Sequence, residues 1–458
     1  MNPPRNSLFV FRRDLRLEDN SGLINALDTS EKVIPLFILD EYLLNNKNLS
    51  PNAKQFLKES LFDLVDRFAL MNETQLFIYH GKPEIIINDL LNRKELSIGK
   101  IIMNRDYTPY SQIRDTKIKK ICKNTGTKLI LTADLLLNEP EVVKKNDGTP
   151  YTIFTPFFKK SQNFLVQKPE KTSKDNYYTE NISKMISPEK LKEILNFSNS
   201  NIQVKGGRSK GMEMLSQIQA YKKYNEERDF PAINGTTNLS AHIKFGTVSI
   251  REVYHTIRQT DNFALLRQLY WRDFYIYIGF HFPYVFKGPF RSQYDKLEWI
   301  YDKDLFHAWC EGKTGFPIVD AGMRQLNSTG WMHNRVRMIV ASFLTKDLLI
   351  DWRWGERYFK EKLVDYDISV NNGNWQWVAG TGCDPVPYFR IFNPWLQQKK
   401  FDPQCDYIKR YIPELQEYHP RIIHNLFKTR PKELKNYPNS IVNHAIMREK
   451  AKLMFQTV

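Results

Sequence analysis

The residues of this chain that could do chemistry are not acids, bases or nucleophiles in any familiar spacing. Its nine histidines include no H-E-x-x-H and no pair at helical spacing. Its four cysteines (Cys122, Cys310, Cys383, Cys405) form no C-x-x-C. A metal site, a hydrolytic triad and a disulfide framework therefore all lack an anchor, and no metal is expected. What the sequence concentrates instead is amides, guanidinium groups and indoles. Asn371–Trp377 reads NNGNWQW, two tryptophans among three asparagines, and GTGCDPVPYFRIFNP follows at Gly380–Pro394. Indoles among amides suit a planar, polar partner such as a nucleobase or a flavin. A loop with two packing tryptophans is the plainer alternative.

Three other stretches share this character. LLRQLYWRDFYIY sets Gln268, Trp271, Arg272 and Tyr275 at i,i+3 and i,i+4 spacings, on one side of a helix. An amide, an indole and a guanidinium so placed could stack on and hydrogen-bond a base, or they could belong to an amphipathic core helix. In WMHNRVRMIVASF, Asn334 and Met338 share a face and Arg335 and Arg337 flank them. Arginines this close to an apolar face need anionic partners, and DYD at Asp365–Asp367 offers them. TTNLSAHIKFG (Thr236–Gly246) puts hydroxyls just before a helix, either an anion site fit for a diphosphate or an ordinary N-cap cluster. GKT at Gly312–Thr314 is not a phosphate loop, because His307 stands where that loop needs glycine.

Two kinds of element must position these residues. Short β-rich runs at 7–11, 33–39, 75–80, 100–103 and 127–132 alternate with helix-like segments near 53–70, 83–92 and 112–124. That alternation predicts an α/β N-terminal domain over 1–135, with a doubly wound parallel sheet. FRRDLRLEDN (Phe11–Asn20) replaces the glycine-rich turn of dinucleotide folds, so a dinucleotide bound in the usual way is unsupported, while the carboxyl ends of the strands stay open to a ligand. Residues 136–204, rich in Pro, Lys, Ser and Asn, read as a long connector on the surface. From 205 to 458 apolar residues recur at three and four spacings, predicting an all-α domain; helical segments fall at 211–224, 249–260, 265–280, 316–330, 331–352 and 355–364.

The chain has 458 residues, 41% hydrophobic and 13% aromatic, with a net charge of +16 spread among Trp, Tyr and Phe. Such interleaving suits a polyanion with exposed bases. MNPPRNSLFVFRRDLRL lacks the apolar run of a signal peptide, and no window is long and apolar enough to span a membrane. A reducing, cytoplasmic setting is expected, nucleoid-associated in a prokaryote.

In one order, FRRDLRLEDN, ERDFPAINGTTNLS, WRDFY, GKTGFPIVDAGMRQLNSTGWMHNRVRM, KDLLIDWRWGERYF, NNGNWQW and GTGCDPVPYFRIFNPWLQQKKFD resemble the photolyase/cryptochrome family of blue-light flavoproteins. The resemblance runs nearly end to end and is loosest across 140–205. WMHNRVRM is similar to the class I cyclobutane pyrimidine dimer (CPD) photolyases, whereas (6-4) photolyases carry a histidine pair there. Asn371 stands where plant cryptochromes tend to place an aspartate.

The resemblance implies an FAD inside the helical domain. Tyr224, Thr236, Thr237, Asn238, Leu239 and Ser240 would hold its diphosphate and ribityl, with Arg272 nearby. Asn334, Arg337, Asp365, Tyr366, Asp367 and Asn371 would line the isoalloxazine, with Arg337 paired to Asp365. Asn371, being neutral, would not repel an anionic reduced flavin. Trp271 and Trp377 would wedge around a flipped dimer, while Gln268, Asn334 and Met338 contact its bases. Arg228, Arg272, Tyr275, Arg335 and Gln397 would help hold the DNA. Trp375, Trp352 and Trp299 would relay electrons to the flavin. The implied reaction is light-driven splitting of the CPD by electron transfer from reduced FAD, in a monomer acting on damaged DNA away from any membrane.

Two departures leave alternatives open. Gln268 replaces the glutamate usual in class I enzymes and matches the (6-4) branch; it can donate and accept hydrogen bonds but supplies neither proton nor charge. NRDYTPYSQIRD (Asn104–Asp115) lacks the glutamate that folate-binding relatives place around Ser111. A second, antenna chromophore in the N-terminal domain could then be a deazaflavin, a flavin or a reduced folate, or be absent. A cryptochrome photoreceptor remains the reading from a different functional class.

Overall fold

The computed structural model describes residues 5–45, 48–71 and 74–458. The reading of the N-terminus falls partly on Met1–Pro4, outside the described residues. The chain forms two compact units. The first is Met1–Ser198, Val204–Lys222 and Thr237–Pro283; the second is Asn199–Gln203, Lys223–Thr236 and Tyr284–Val458.

The first unit holds a five-stranded, wholly parallel sheet: β1 (Asn6–Phe11), β2 (Val33–Asp40), β3 (Phe77–Gly81), β4 (Ile98–Asn104) and β5 (Lys128–Thr132), in the order β3-β2-β1-β4-β5. The doubly wound α/β reading holds. β2 (VIPLFILD) is buried at every position, as expected of a central strand covered on both faces, while β5 at the edge is partly exposed. The intervening helices start at well-formed caps. Ser50 and Thr108 each accept from a backbone N–H of the first turn, with proline next, and Gly126 closes Pro109–Thr125 in the left-handed conformation. Two short α-helices between the strands lie outside the expected segments, Ser21–Thr29, capped by Asn20 at the end of the FRRDLRLEDN stretch, and the single turn Glu41–Leu44, capped by Asp40.

Strand order reverses between β1 and β4, where open α/β sheets usually take a ligand. Here polar side chains at the strand ends bond one another. The Asn104 amide donates to Asn20 Oδ1 (2.7 Å) and Asp14 Oδ2 (2.5 Å), and its Oδ1 accepts from Gly22 N–H (2.9 Å). A Cβ on Gly22 would lie 2.6 Å from that Oδ1, so glycine is required by close approach. Below it, Arg16 and Arg251 share Asp134 at 2.6 and 2.7 Å, and Arg251 also holds Asp19 at 3.0 Å. FRRDLRLEDN is thus a buried polar brace that fixes the helix Ile250–Arg258 within this unit. The 136–204 stretch is ordered where it crosses the unit. It carries the helices Phe154–Ser161 and Pro188–Ile194, and Tyr177 bridges to Val33 at the start of β2.

The second unit is helical around one large core that includes Trp309, Phe343, Trp352, Phe359, Trp375 and Phe455. Residues 331–352 do not form one helix: Asn334–Ser342 passes into a π-helical turn, Phe343–Asp347, and Trp352–Lys362 starts afresh on an Asp351 cap. The turn buries two ionisable groups, whose charged forms burial disfavours. Lys346 Nζ donates to Ala379 O (2.8 Å) and stands 3.5 Å from the Phe455 ring centroid; Asp347 Oδ1 meets His444 Nδ1 at 2.5 Å. The C-terminal helix His444–Gln456 is fastened to the core at both its ends by these contacts.

Candidate flavin and DNA site

NNGNWQW is neither a loop nor a surface strip. It lies inside the helix Ile368–Ala379, which Asp367 caps by accepting from Ser369 and Val370 N–H, and which Gly380 stops at φ +86°. The helix divides its polar residues by face. Asn372 and Gln376, four apart, hydrogen-bond each other (3.0 Å) and staple the carbonyls of Val285 and Gly288, while Phe290 N–H donates to Gln376 Oε1. These two amides are architectural. Asn371 is buried, and its amide donates to Glu356 O (3.2 Å). Burial pushes the Glu356 carboxyl up to about 7, despite the Asn372 amide donating to it at 3.4 Å. Trp375 points into the core, edge-on to Phe359 (5.0 Å) and Trp309 (6.2 Å). Trp352 and Trp299 are buried in the same core, and Trp377 is half-buried against it.

The expected arginine partners divide between two carboxylates. Arg337 pairs with Asp365 at 3.0 Å, as the sequence suggested, and its Nε donates to Met332 O. Arg335 pairs instead with Asp229 (2.7 Å) and lies over the Phe401 ring (4.4 Å). Arg228 reaches the same Asp229 at 4.0 Å and lies over Tyr224. Asp229 was missed, although ERDFP places it directly after Arg228; a pairing across more than one hundred residues leaves no local pattern. Asn334 donates to Met338 Sδ at 3.8 Å, so the i,i+4 pair does meet.

Several buried polar atoms around these residues have no hydrogen-bond partner among the described residues: His333 Nε2, Arg335 Nε and Gln397 Oε1. His333 caps Asn334–Ser342 by accepting Arg335 N–H on Nδ1, so Nε2 carries the proton. Burial then holds this imidazole neutral, at about 4, against the pull of Asp229. An uncharged donor facing no acceptor implies a ligand or solvent partner.

In the first unit, Gln268, Trp271, Arg272 and Tyr275 lie on the helix Phe263–His281. Trp271 stacks on Phe154 at 3.5 Å and 7°, so one ring face is already covered. Arg272 donates to Leu135 O and Asp273, Gln268 donates back to Ala264 O, and Tyr275 is buried. The TTNLS hydroxyls are not N-cap groups: the helix Ser240–Phe245 has Leu239 at its cap position and no side-chain cap bond. Asn238 adopts φ +54°, and its buried Oδ1 lacks a partner among the described residues. A polar loop not consumed by helix capping fits the phosphate and ribityl end of a dinucleotide.

The family model described as DNA photolyase matches residues 7–173, and that described as the FAD binding domain of DNA photolyase matches 265–457. A deoxyribodipyrimidine photo-lyase of Synechococcus sp. is 37% identical, covering 98% of this chain and 96% of its own. The chain belongs to the DNA photolyase family. Among solved structures, an archaeal photolyase from Sulfolobus tokodaii with two FAD molecules superposes on this chain with TM-score 0.89 at 40% identity, covering 99% of this chain and all of its own. A cryptochrome from Synechocystis sp. matches with TM-score 0.89 at 25% identity, covering 99% of this chain and 100% of that one. Among the described residues no helix is long and apolar enough to cross a membrane.

Proposed function

We propose that this protein is a light-dependent lyase that splits cyclobutane pyrimidine dimers in DNA, with FAD as its cofactor. The observation that carries this reading is the 37–38% identity to deoxyribodipyrimidine photo-lyases over 97–98% of the chain. Bound reduced FAD supplies, under blue light, the electron that opens the two carbon–carbon bonds, which no side chain could supply.

The chain's own residues bind and orient. Tyr224, Thr236, Thr237, Asn238, Leu239 and Ser240 are proposed to hold the diphosphate and ribityl, with Arg272 beside them. The Arg337–Asp365 pair, Tyr366, Asp367 and Asn371 are proposed to line the ring system. There Asn371, tied to Glu356 O, presents a neutral group. Trp271 and Trp377 would flank the extruded lesion, keep water from it and leave its base edges to Gln268, Asn334 and Met338. Extrusion is least costly for a damaged, poorly paired base. Arg228, Arg335 and Gln397, set around Asp229 and Phe401, are proposed to take backbone phosphates, which predicts strongly salt-dependent binding. The partition into an antenna domain (1–135), a connector (136–204) and a catalytic domain (205–458) is proposed on the same grounds, with a monomer in the cytoplasm. A light-harvesting flavin is the favoured second chromophore, because the archaeal relative holds two FAD molecules.

Gln268 favours a second reading, repair of (6-4) photoproducts. The test is repair by the reduced protein under blue light on two oligonucleotides, one with a thymine CPD and one with a (6-4) photoproduct. Repair of the first alone is expected. Repair of the second alone would overturn the lesion assignment; repair of neither, with FAD bound and photoreducible, would favour a photoreceptor.

A further inference from the structure

We infer that Trp375 has a second aromatic route to the surface, through Trp309 to Trp354 and Tyr301, which delivers electrons when the Trp352–Trp299 route is cut. The inference rests on Trp375 being the first electron donor to the flavin, and it uses residues to which that reading gives no task.

All its members lie in the second unit. Trp309 is fully buried, edge-on to Trp375 at 6.2 Å, with its indole N–H donating to Val340 O (3.0 Å). Phe306 stacks on Trp309 at 5.8 Å and 20°, and meets Trp354 edge-on at 5.0 Å. Trp354 lies 6.0 Å from Tyr301, which is 67% exposed. Phenylalanine is too hard to oxidise to hold a hole, so Phe306 acts as a spacer. The hop between Trp354 and Trp309 is then no longer than the two ring spacings through it combined. Each remaining hop is between neighbouring rings with centroids 6.0–6.2 Å apart.

Charge favours this route over the other. The Arg353 guanidinium stands over the Trp352 ring at 5.3 Å, and a fixed cation there opposes a cation radical on that indole. Asp351 (2.9 Å) and Asp295 (3.2 Å) offset part of that charge. Lys362 stands over Tyr358, beside the second route and not on it. Trp299, the end of the first route, is only 8% exposed, whereas Tyr301 opens to water.

The electron balance is closed by named partners. An electron leaving Trp309 for oxidised Trp375 puts the cation radical on Trp309, and Trp354 refills it. Tyr301 then reduces Trp354, losing one electron and its phenolic proton, which passes to water. The species reduced is the oxidised flavin, and an external thiol finally restores Tyr301.

The test uses the FAD-bound full chain under blue light with a thiol reductant. Trp299→Phe is expected to slow photoreduction about three- to tenfold without abolishing it, and adding Trp354→Phe to cost a further tenfold. Electron paramagnetic resonance of Trp299→Phe labelled with ring-deuterated tyrosine should show a narrowed radical signal, lost in the Tyr301→Phe background. If Trp299→Phe and Trp352→Phe abolish photoreduction as fully as Trp375→Phe, the second route is overturned and the first-donor reading stands. If Trp375→Phe photoreduces normally, both fall.

Discussion

The brace at the sheet end and the helix Ile368–Ala379 with its surroundings are built from the same chemistry, asparagines and arginines buried beside carboxylates, yet they end differently. In the brace the side-chain polar atoms of Asp14, Asn20, Asn104 and Asp134 all have protein partners, and within FRRDLRLEDN Arg12 Nε is the one buried polar atom left with neither a hydrogen bond nor an ion pair among the described residues. Around His333, Arg335 and Gln397, buried polar atoms are left over. A closed network rigidifies a fold; an open one keeps donors and acceptors for something that is not the chain. Composition does not say which is which: FRRDLRLEDN carries three arginines and one asparagine, Ile368–Ala379 four amides and no arginine, and both are simply polar stretches.

The largest effect should come from opening the closed network. Asp134→Asn would leave Arg16 and Arg251 short of a buried charge partner, and about 3–5 kcal/mol of stability should be lost. Denaturant unfolding measures it, and a loss under 1 kcal/mol would mean that the brace is not structural. Glu356→Gln should give a smaller, pH-dependent gain. The Glu356 carboxyl titrates near 7 when folded and lower when unfolded, so its ionisation opposes folding as pH rises through that interval. The variant should therefore be more stable at pH 8, by roughly 2 kcal/mol, and unchanged at pH 4. An equal gain at both pH values would refute the titration. In the open network, Gln397→Leu should barely move the melting temperature, within about 0.5 kcal/mol, because its Oε1 has no internal partner to lose. Its effect should appear as several-fold weaker binding to lesion-bearing DNA, read by fluorescence anisotropy. A large stability loss with unchanged binding would reverse the comparison.

Much of the architecture was legible because burial writes itself locally. β2 is a continuous apolar run, and Pro317–Thr329 has proline at its start and glycine past its end. The break at Phe343–Asp347 was not legible, since VASFLTKDLL keeps helical periodicity through the π turn and only the tertiary partners of Lys346 and Asp347 explain it. Of the candidate site, charge need called for carboxylates beside Arg335 and Arg337 and offered Asp365–Asp367, the Arg337–Asp365 pair came from the family resemblance, and the Asn334–Met338 contact was readable from helical spacing. The Asp229–Arg335 pair, the stapling by Asn372 and Gln376, and the Phe154 stack on Trp271 join residues far apart in sequence. For these, periodicity carries no information, and amide-rich stretches read alike whether they hold a ligand or a loop.

The fastening of the C-terminal helix has a consequence for how the protein is made. Asp347 and His444 are 97 residues apart. At translation speeds of about 5–20 residues per second, several seconds to about twenty pass between the two leaving the ribosome. Through that interval the nascent chain holds Lys346 and Asp347 without the helix that covers them. The helical half therefore reaches its native core only late in synthesis, and a stalled or nicked chain ending before His444 would present that unfinished surface to chaperones.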